Sequence, residues 1–160
     1  HAPTAYFAIS PIIGAFIGIV LQPRWGRFGD RAGACRILLL SGVGLSIVPL
    51  LWAIAPVYWF GWVVDSVAFC FWPGHTLGLT LRAVELVDNE GDRPMMLGWT
   101  NLAQGTGATL SPLIASMTIS ELSLPVILLM AFALRLASSW VISGAVPRIS
   151  QGPVPTPSTA

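Results

Sequence analysis

The sequence predicts an all-α fold, a polytopic transmembrane helix bundle with five membrane-spanning helices, and three observations carry that expectation. Hydrophobic residues make up 54% of the 160 and charged residues only 9%, against roughly 25% charged in ordinary globular chains. A domain of this size leaves about a third of its chain surface exposed on folding, so apolar content this high must meet lipid as well as a core. Apolar runs recur at roughly residues 4–21, 37–55, 57–81, 95–118 and 122–146, each near the roughly 20 residues that cross a bilayer as helix. The period-two alternation of a membrane barrel is absent, and helices satisfy their own backbone groups where lipid offers no partner.

Prolines mark the span edges. Pro23 follows the first span, Pro56 sits between the second and third, Pro94 precedes the fourth and Pro147 follows the fifth. Charge orients them: Arg24, Arg27, Arg31 and Arg36 fall in the first loop, Arg82 and Arg93 flank the loop after the third span, and Arg148 follows the last. The opposite side carries no Lys or Arg. The positive-inside rule then puts these loops and the C-terminus in the cytoplasm and the N-terminus outside. A chain starting outside at His1, without a positively charged leader, reads as a piece preceded by at least one further helix. Residues 1–149 are expected to form the membrane domain, within a plasma membrane such as the bacterial inner membrane. Residues 150–160, SQGPVPTPSTA, read as a disordered cytoplasmic tail.

Several function classes lack their signals. Eight basic and seven acidic residues leave no electrostatic footprint for nucleic acid. Cys35 and Cys70 have no metal-ligand spacing and suggest ordinary thiols. No P-loop, H-E-x-x-H or G-x-S-x-G occurs, so ATP-driven pumping and common hydrolase chemistry are not indicated. No cofactor is expected.

The first loop, Arg24-Trp25-Gly26-Arg27-Phe28-Gly29-Asp30-Arg31-Ala32-Gly33-Ala34-Cys35-Arg36, combines turn-permissive glycines, one acid and several arginines. Glycines allow tight turns, a carboxylate can sit at a helix N-terminus, and arginines anchor to anionic headgroups; the plain reading is a turn that only sets topology. The segment resembles the signature loop of the major facilitator superfamily, G-x-x-x-D-R-x-G-R-R, through Gly26, Asp30, Arg31 and Gly33. The family's basic pair is only partly kept, as Ala34, Cys35 and Arg36. With PLLWAIAP at 49–56, Trp72-Pro73-Gly74, ELVDNEGDRP at 85–94 and a glycine-rich fourth span, residues 1–149 look like helices 8 to 12 of such a transporter. Helices 2 to 6 are the alternative, since the signature recurs in each half of the family; Gly107-Ala-Thr-Leu-Ser111-Pro112 is a degraded match to the helix-5 antiporter motif, with Ser111 for its second Gly and Ala115-Ser116 for its final pair, which weakens that alternative. The resemblance implies a secondary transporter working by alternating access and coupled to protons, whose partners are a small solute, membrane lipid and the missing N-terminal half. It also implies that Asp30 latches the cytoplasmic side, for which Arg82 at the end of the third span is the expected partner.

Polar residues inside the spans are the candidate cavity set. A carboxylate in lipid costs a few kcal/mol, so Asp65, sharing a helical face with Phe69, Trp72 and Thr76, is either a coupling or cation-recognition group or a carboxylate hydrated near the outer edge. His75, beside Pro73 and Gly74, is either a proton relay or a neutral imidazole bonded to a neighbouring helix. Asn101, Gly105, Ala108 and Pro112 share a face, with Gln104 beside it, suiting a polar path or a packing seam of small residues. Arg135, near the middle of the fifth span, is either a snorkelling arginine or one half of a salt bridge within the bundle; the resemblance, which puts the twelfth helix at the periphery, favours the structural pair. Gly14 with Gly18 and Gly74 with Gly78 read as packing devices.

Two other classes compete with transport. A membrane enzyme using Asp65 and His75 as acid and base is disfavoured, because ten residues of helix separate them by about 15 Å; the chain is therefore read as no enzyme. A non-transporting scaffold or assembly partner is the remaining alternative, separated from a transporter by an uptake assay.

Overall fold

The computed structural model describes residues 2–55, 60–119 and 121–144, with side chains described between residues 9 and 141. Five α-helices occur among these residues: α1 (Ala2–Ala32), α2 (Ala34–Ile54), α3 (Gly61–Glu85), α4 (Arg93–Thr118) and α5 (Leu124–Gly144). No strand is present among them, so the all-α expectation holds. The proposed turn at Pro56, the positions of Pro147 and Arg148, and the tail at 150–160 lie outside the described residues.

The first loop is not a loop. α1 runs through Pro23 and continues to Ala32, so that Gly26, Asp30 and Arg31 are helical and Gly33 alone interrupts the chain. Pro23 removes one backbone donor, yet the turns beyond it are held from outside the helix. Trp25 Nε1 donates to the Cys70 carbonyl of α3 at 2.9 Å, and Gly29 faces the Ile37 side chain of α2. Tertiary contact overrides the local stop signal. Pro49, Pro73 and Pro112 are likewise inside helices. The break at Gly33 has φ 82° and ψ 162°, a conformation essentially closed to side-chain-bearing residues.

Between α3 and α4 the chain makes a 3-10 turn, Glu90–Asp92. Asn89 caps it by accepting a hydrogen bond from Gly91 N at 3.1 Å, and Pro94 follows in the first turn of α4, where a missing amide hydrogen costs nothing.

α2 is the central element, packed against α3 and α5, while α1 lies mainly on α3. Contacts give the directions. Ser10 meets Asp65, Gly14 faces Phe69 and Gly29 faces Leu81, so α1 and α3 run parallel. Gly44 faces Phe71 and Gly78 faces Leu38, so α2 runs against them. The best-buried side chains, Ile37 and Val64, are fully enclosed, as are Ser41 and Ser46. Those hydroxyls donate within their own helix, to the carbonyls of Ile37 at 2.7 Å and Gly42 at 2.8 Å, which satisfies them without cross-helix partners.

Glycines are where rings seat. A Cβ on Gly14 would stand 2.5 Å from the Phe69 ring, and one on Gly74 would stand 2.5 Å from the Trp25 indole. Gly44 is covered by Phe71 and Gly42 by Ser139 of α5. Gly14, Gly74 and Gly78 are therefore packing devices, with a side chain rather than a backbone filling each notch. Gly18 is looser, its nearest neighbour being Pro73 at 4.0 Å.

α4 is the exception. It packs chiefly on α3 and contains no buried residue.

Among the described residues, two helices are long and apolar enough to cross a membrane, α2 over Ala34–Ile54 and α5 over Leu124–Val141. The five apolar spans expected from the sequence are thus matched by five helices but by only two of sufficient apolarity. α3 is diluted by Asp65, His75 and Thr76, and α4 by Asn101, Gln104 and several Thr, Ser and Gly residues, while the apolar run of α1 at 4–21 lies ahead of the arginines that follow Pro23.

Candidate functional site

A cleft of about 610 Å³ opens between α3 and α4, with Leu45 of α2 and Arg135 of α5 also lining it. Its volume falls within the range of small-molecule sites. The α3 wall is formed by Trp72, His75, Thr76 and Leu79, positions spaced three and four residues apart on one helical face. The α4 wall is formed by Asn101, Gln104, Gly105, Ala108, Ser111 and Pro112, among others, repeating the same spacing.

The small residues of α4 create the space. Nothing lies within 4 Å of a Cβ placed on Gly98, Gly105 or Gly107, whereas a seam for close helix packing would put a neighbour there. Asn101, Gly105, Ala108 and Pro112 line this open cleft. Ser111 joins them. Its signal was available in the sequence, since it lies seven residues after Gln104.

His75 faces Trp72, with ring centroids 6.5 Å apart and planes at 44°. Its Nδ1 is buried and has no hydrogen-bond partner, so the imidazole bonded to a neighbouring helix through that atom is not what the structure contains. Thr76, beside it, donates to the Pro73 carbonyl at 3.1 Å, one of the carbonyls near the proline break in the helical ladder.

Asp65 is elsewhere. Its carboxylate accepts a hydrogen bond from Ser10 Oγ at 2.7 Å across the α1–α3 contact, and Phe69, one turn on, seats against Gly14. Asp65 and Trp72 share a helical face, but Asp65 meets α1 at its level of α3 while Trp72, two turns further on, lines the cleft with α4. Of the sequence-derived cavity set, Trp72, His75, Asn101 and Gln104 come together and Asp65 does not.

Arg135 also departs from expectation. It lines the cleft and forms no ion pair among the described residues, where the two salt bridges are Arg82–Glu85 and Arg93–Glu90. α5 reaches the cleft because it packs on α2 through Gly42 and Ser139, one turn beyond Arg135. Ser139 Oγ donates to the Arg135 carbonyl at 2.8 Å.

At the other end of α3, the Asp30–Arg82 latch is not formed. Gly29 and Leu81 are side by side, with a Gly29 Cβ falling 3.5 Å from Leu81, so the two segments do share a level. Arg82 instead pairs with Glu85 at 2.9 Å, three residues along its own helix, the nearer partner in chain terms. Asp30 is exposed on the last turns of α1. In the motif segment only Gly33 is a turn glycine; nothing crowds Gly26.

One residue of that segment has a structural part the sequence did not reveal. Trp25 covers Gly74, stands edge-on to Phe28 at 6.0 Å and tilts against Phe71 at 6.2 Å, while Phe71 fills the notch at Gly44. The indole thereby ties α1, α3 and α2 together.

Among the described residues no group of three or more His, Cys, Asp or Glu side chains could hold a metal ion. No protein-family model matches the chain, and no curated protein and no solved structure matches it either.

Proposed function

We propose that the chain is part of a multi-pass membrane transporter of major facilitator type, moving a small solute through the cleft between α3 and α4 by alternating access. The single observation that carries this reading is the cleft itself: Trp72, His75, Asn101, Gln104, Ser111 and Arg135 converge on a space between otherwise apolar helices. Polar groups at membrane depth are costly and tend to face a pathway, and transporter sites occur near the bilayer midplane between helices.

Length supports five crossings. The helices have 31, 21, 25, 26 and 21 residues, each at or above the roughly 20 that span the hydrocarbon. The arginine-rich ends at Arg24–Arg36 and Arg82–Arg93 would then occupy one, cytoplasmic, face. Gly26, Asp30, Arg31 and Gly33 mark the signature at the α1–α2 turn, and its acid, unpaired with Arg82 here, is left to contacts with other parts of the transporter.

The test uses a single thiol at Gly105, where a side chain meets open space, with Cys35 and Cys70 replaced by Ser. A membrane-impermeant maleimide applied to right-side-out and inside-out vesicles of the full-length protein should label Gly105→Cys from both faces. Labelling from one face only, under all conditions, would reject alternating access and favour a scaffold.

A further inference from the structure

We infer that the cleft accepts a small, singly charged organic anion with an apolar body, and that Arg135 is the group that binds its charge. This rests on the transporter reading and names the substrate class of the same site.

The charge inventory decides the sign. Arg135 is the only Lys, Arg, Asp or Glu among the residues lining the cleft. The two acids of α3 are both engaged elsewhere, Asp65 with Ser10 on the α1 side and Glu85 with Arg82, and neither salt bridge of the described residues involves Arg135. An arginine well inside a helix of a membrane domain costs roughly 2.5 to 3.5 kcal/mol on insertion scales, and a facing anion is what offsets that cost. A guanidinium presents a planar fork that fits a carboxylate through two parallel hydrogen bonds. On the wall this chain supplies, a single cation matches one negative charge.

The remaining walls describe the rest of the molecule. Trp72 is half exposed and offers an indole face, with Leu45, Leu79 and Pro112 around it. Asn101 and Gln104 supply amide donors and acceptors on the opposite wall, and His75 Nδ1 is a buried polar atom awaiting a partner. An aromatic or branched aliphatic carboxylate fits that division: carboxylate at Arg135, apolar body against Trp72, orientation set by the amides.

The probes are radiolabelled benzoate, its uncharged isostere benzamide and its cationic relative benzamidine, measured by equilibrium dialysis against the full-length protein in detergent with protein-free micelles as blank. Benzoate should bind saturably, at least about tenfold more tightly than benzamide, as expected for loss of a charge-assisted hydrogen bond. Arg135→Gln should weaken benzoate by a similar factor and benzamide much less, so that the preference collapses; Arg135→Lys should retain part of the preference. The comparison among probes on the unaltered protein stands even if a variant fails to fold. Equal binding of the three, or a preference for benzamidine, would overturn the anion assignment while leaving a solute cleft. Binding of none of them, with Gly105→Cys labelled from both faces, would also overturn it and leave the transporter reading standing; failure of that labelling would count against the transporter reading itself.

Discussion

Ser10 on α1 donates its hydroxyl to the Asp65 carboxylate on α3 at 2.7 Å, and Ser10 is almost fully buried by the contact. The acid inside α3 is thereby a fastener between two parallel helices, set apart from the cleft.

Ser10→Ala should therefore lower the thermal stability of the protein in detergent by about 1.5 to 3 kcal/mol, the range for a hydrogen bond to a charged group. Asp65→Asn, which keeps an acceptor for the hydroxyl, should cost less. Both variants should bind cleft ligands normally, and loss of benzoate binding in Asp65→Asn with the fold intact would return the residue to the solute path.

The glycines divide into two sets with opposite expected signs. Gly74→Ala drives a methyl into the Trp25 ring and Gly14→Ala into Phe69, so each should destabilise by about 1 to 3 kcal/mol through overpacking. Gly105→Ala and Gly107→Ala meet nothing and should stabilise α4 by up to about 1 kcal/mol through helix propensity. Melting curves of the four variants check this, and destabilisation by Gly107→Ala would mean that α4 packs more closely than the structure has it.

Gly33→Ala places a side chain at φ 82°, a strain of about 1 to 3 kcal/mol. The expected outcome is a lower melting temperature with unchanged helix content by circular dichroism. An unchanged melting temperature would show that the α1–α2 turn relaxes to another conformation.

Trp25→Phe removes the Nε1 hydrogen bond to the Cys70 carbonyl but keeps a ring over Gly74, and should cost about 1 kcal/mol. Trp25→Ala empties the notch between α1, α2 and α3 and should cost about 3 to 5 kcal/mol. Similar losses for the two variants would assign the effect to the hydrogen bond alone.

Orientation has its own test. Glu90→Cys should react with an impermeant maleimide only from the cytoplasmic face and Glu121→Cys only from the outer face, as the arginine asymmetry requires. The reverse pattern would invert the bundle.

Helical class, the number of helices and the polar face of α4 were legible in the residues, because apolar run length and the three-to-four spacing of Asn101, Gln104, Gly105 and Ala108 are local properties of the chain. Helix ends were less so. Pro23 signals a stop, yet α1 passes through it because Trp25 and Gly29 are held by α3 and α2, and local signals carry no record of distant partners. The same limit applied to the charges: an apolar stretch of sequence around Asp65 and around Arg135 marks both alike as unusual, without saying which neighbour each meets.

By itself, then, the sequence determined an apolar all-helical chain with its arginines, Arg135 excepted, gathered at one set of ends and polar residues aligned along α3 and α4, since composition and periodicity suffice for these. Only the tertiary structure decided that Asp65 turns to Ser10, that Arg82 pairs with Glu85 rather than Asp30, and that Arg135 comes to His75 and Gln104 in one cleft. Those outcomes depend on the rotation of each helix about its axis, which is set by how rings such as Phe69, Phe71 and Trp25 seat in the glycine notches of other helices, and packing of that kind is a property of helix pairs that no single segment encodes.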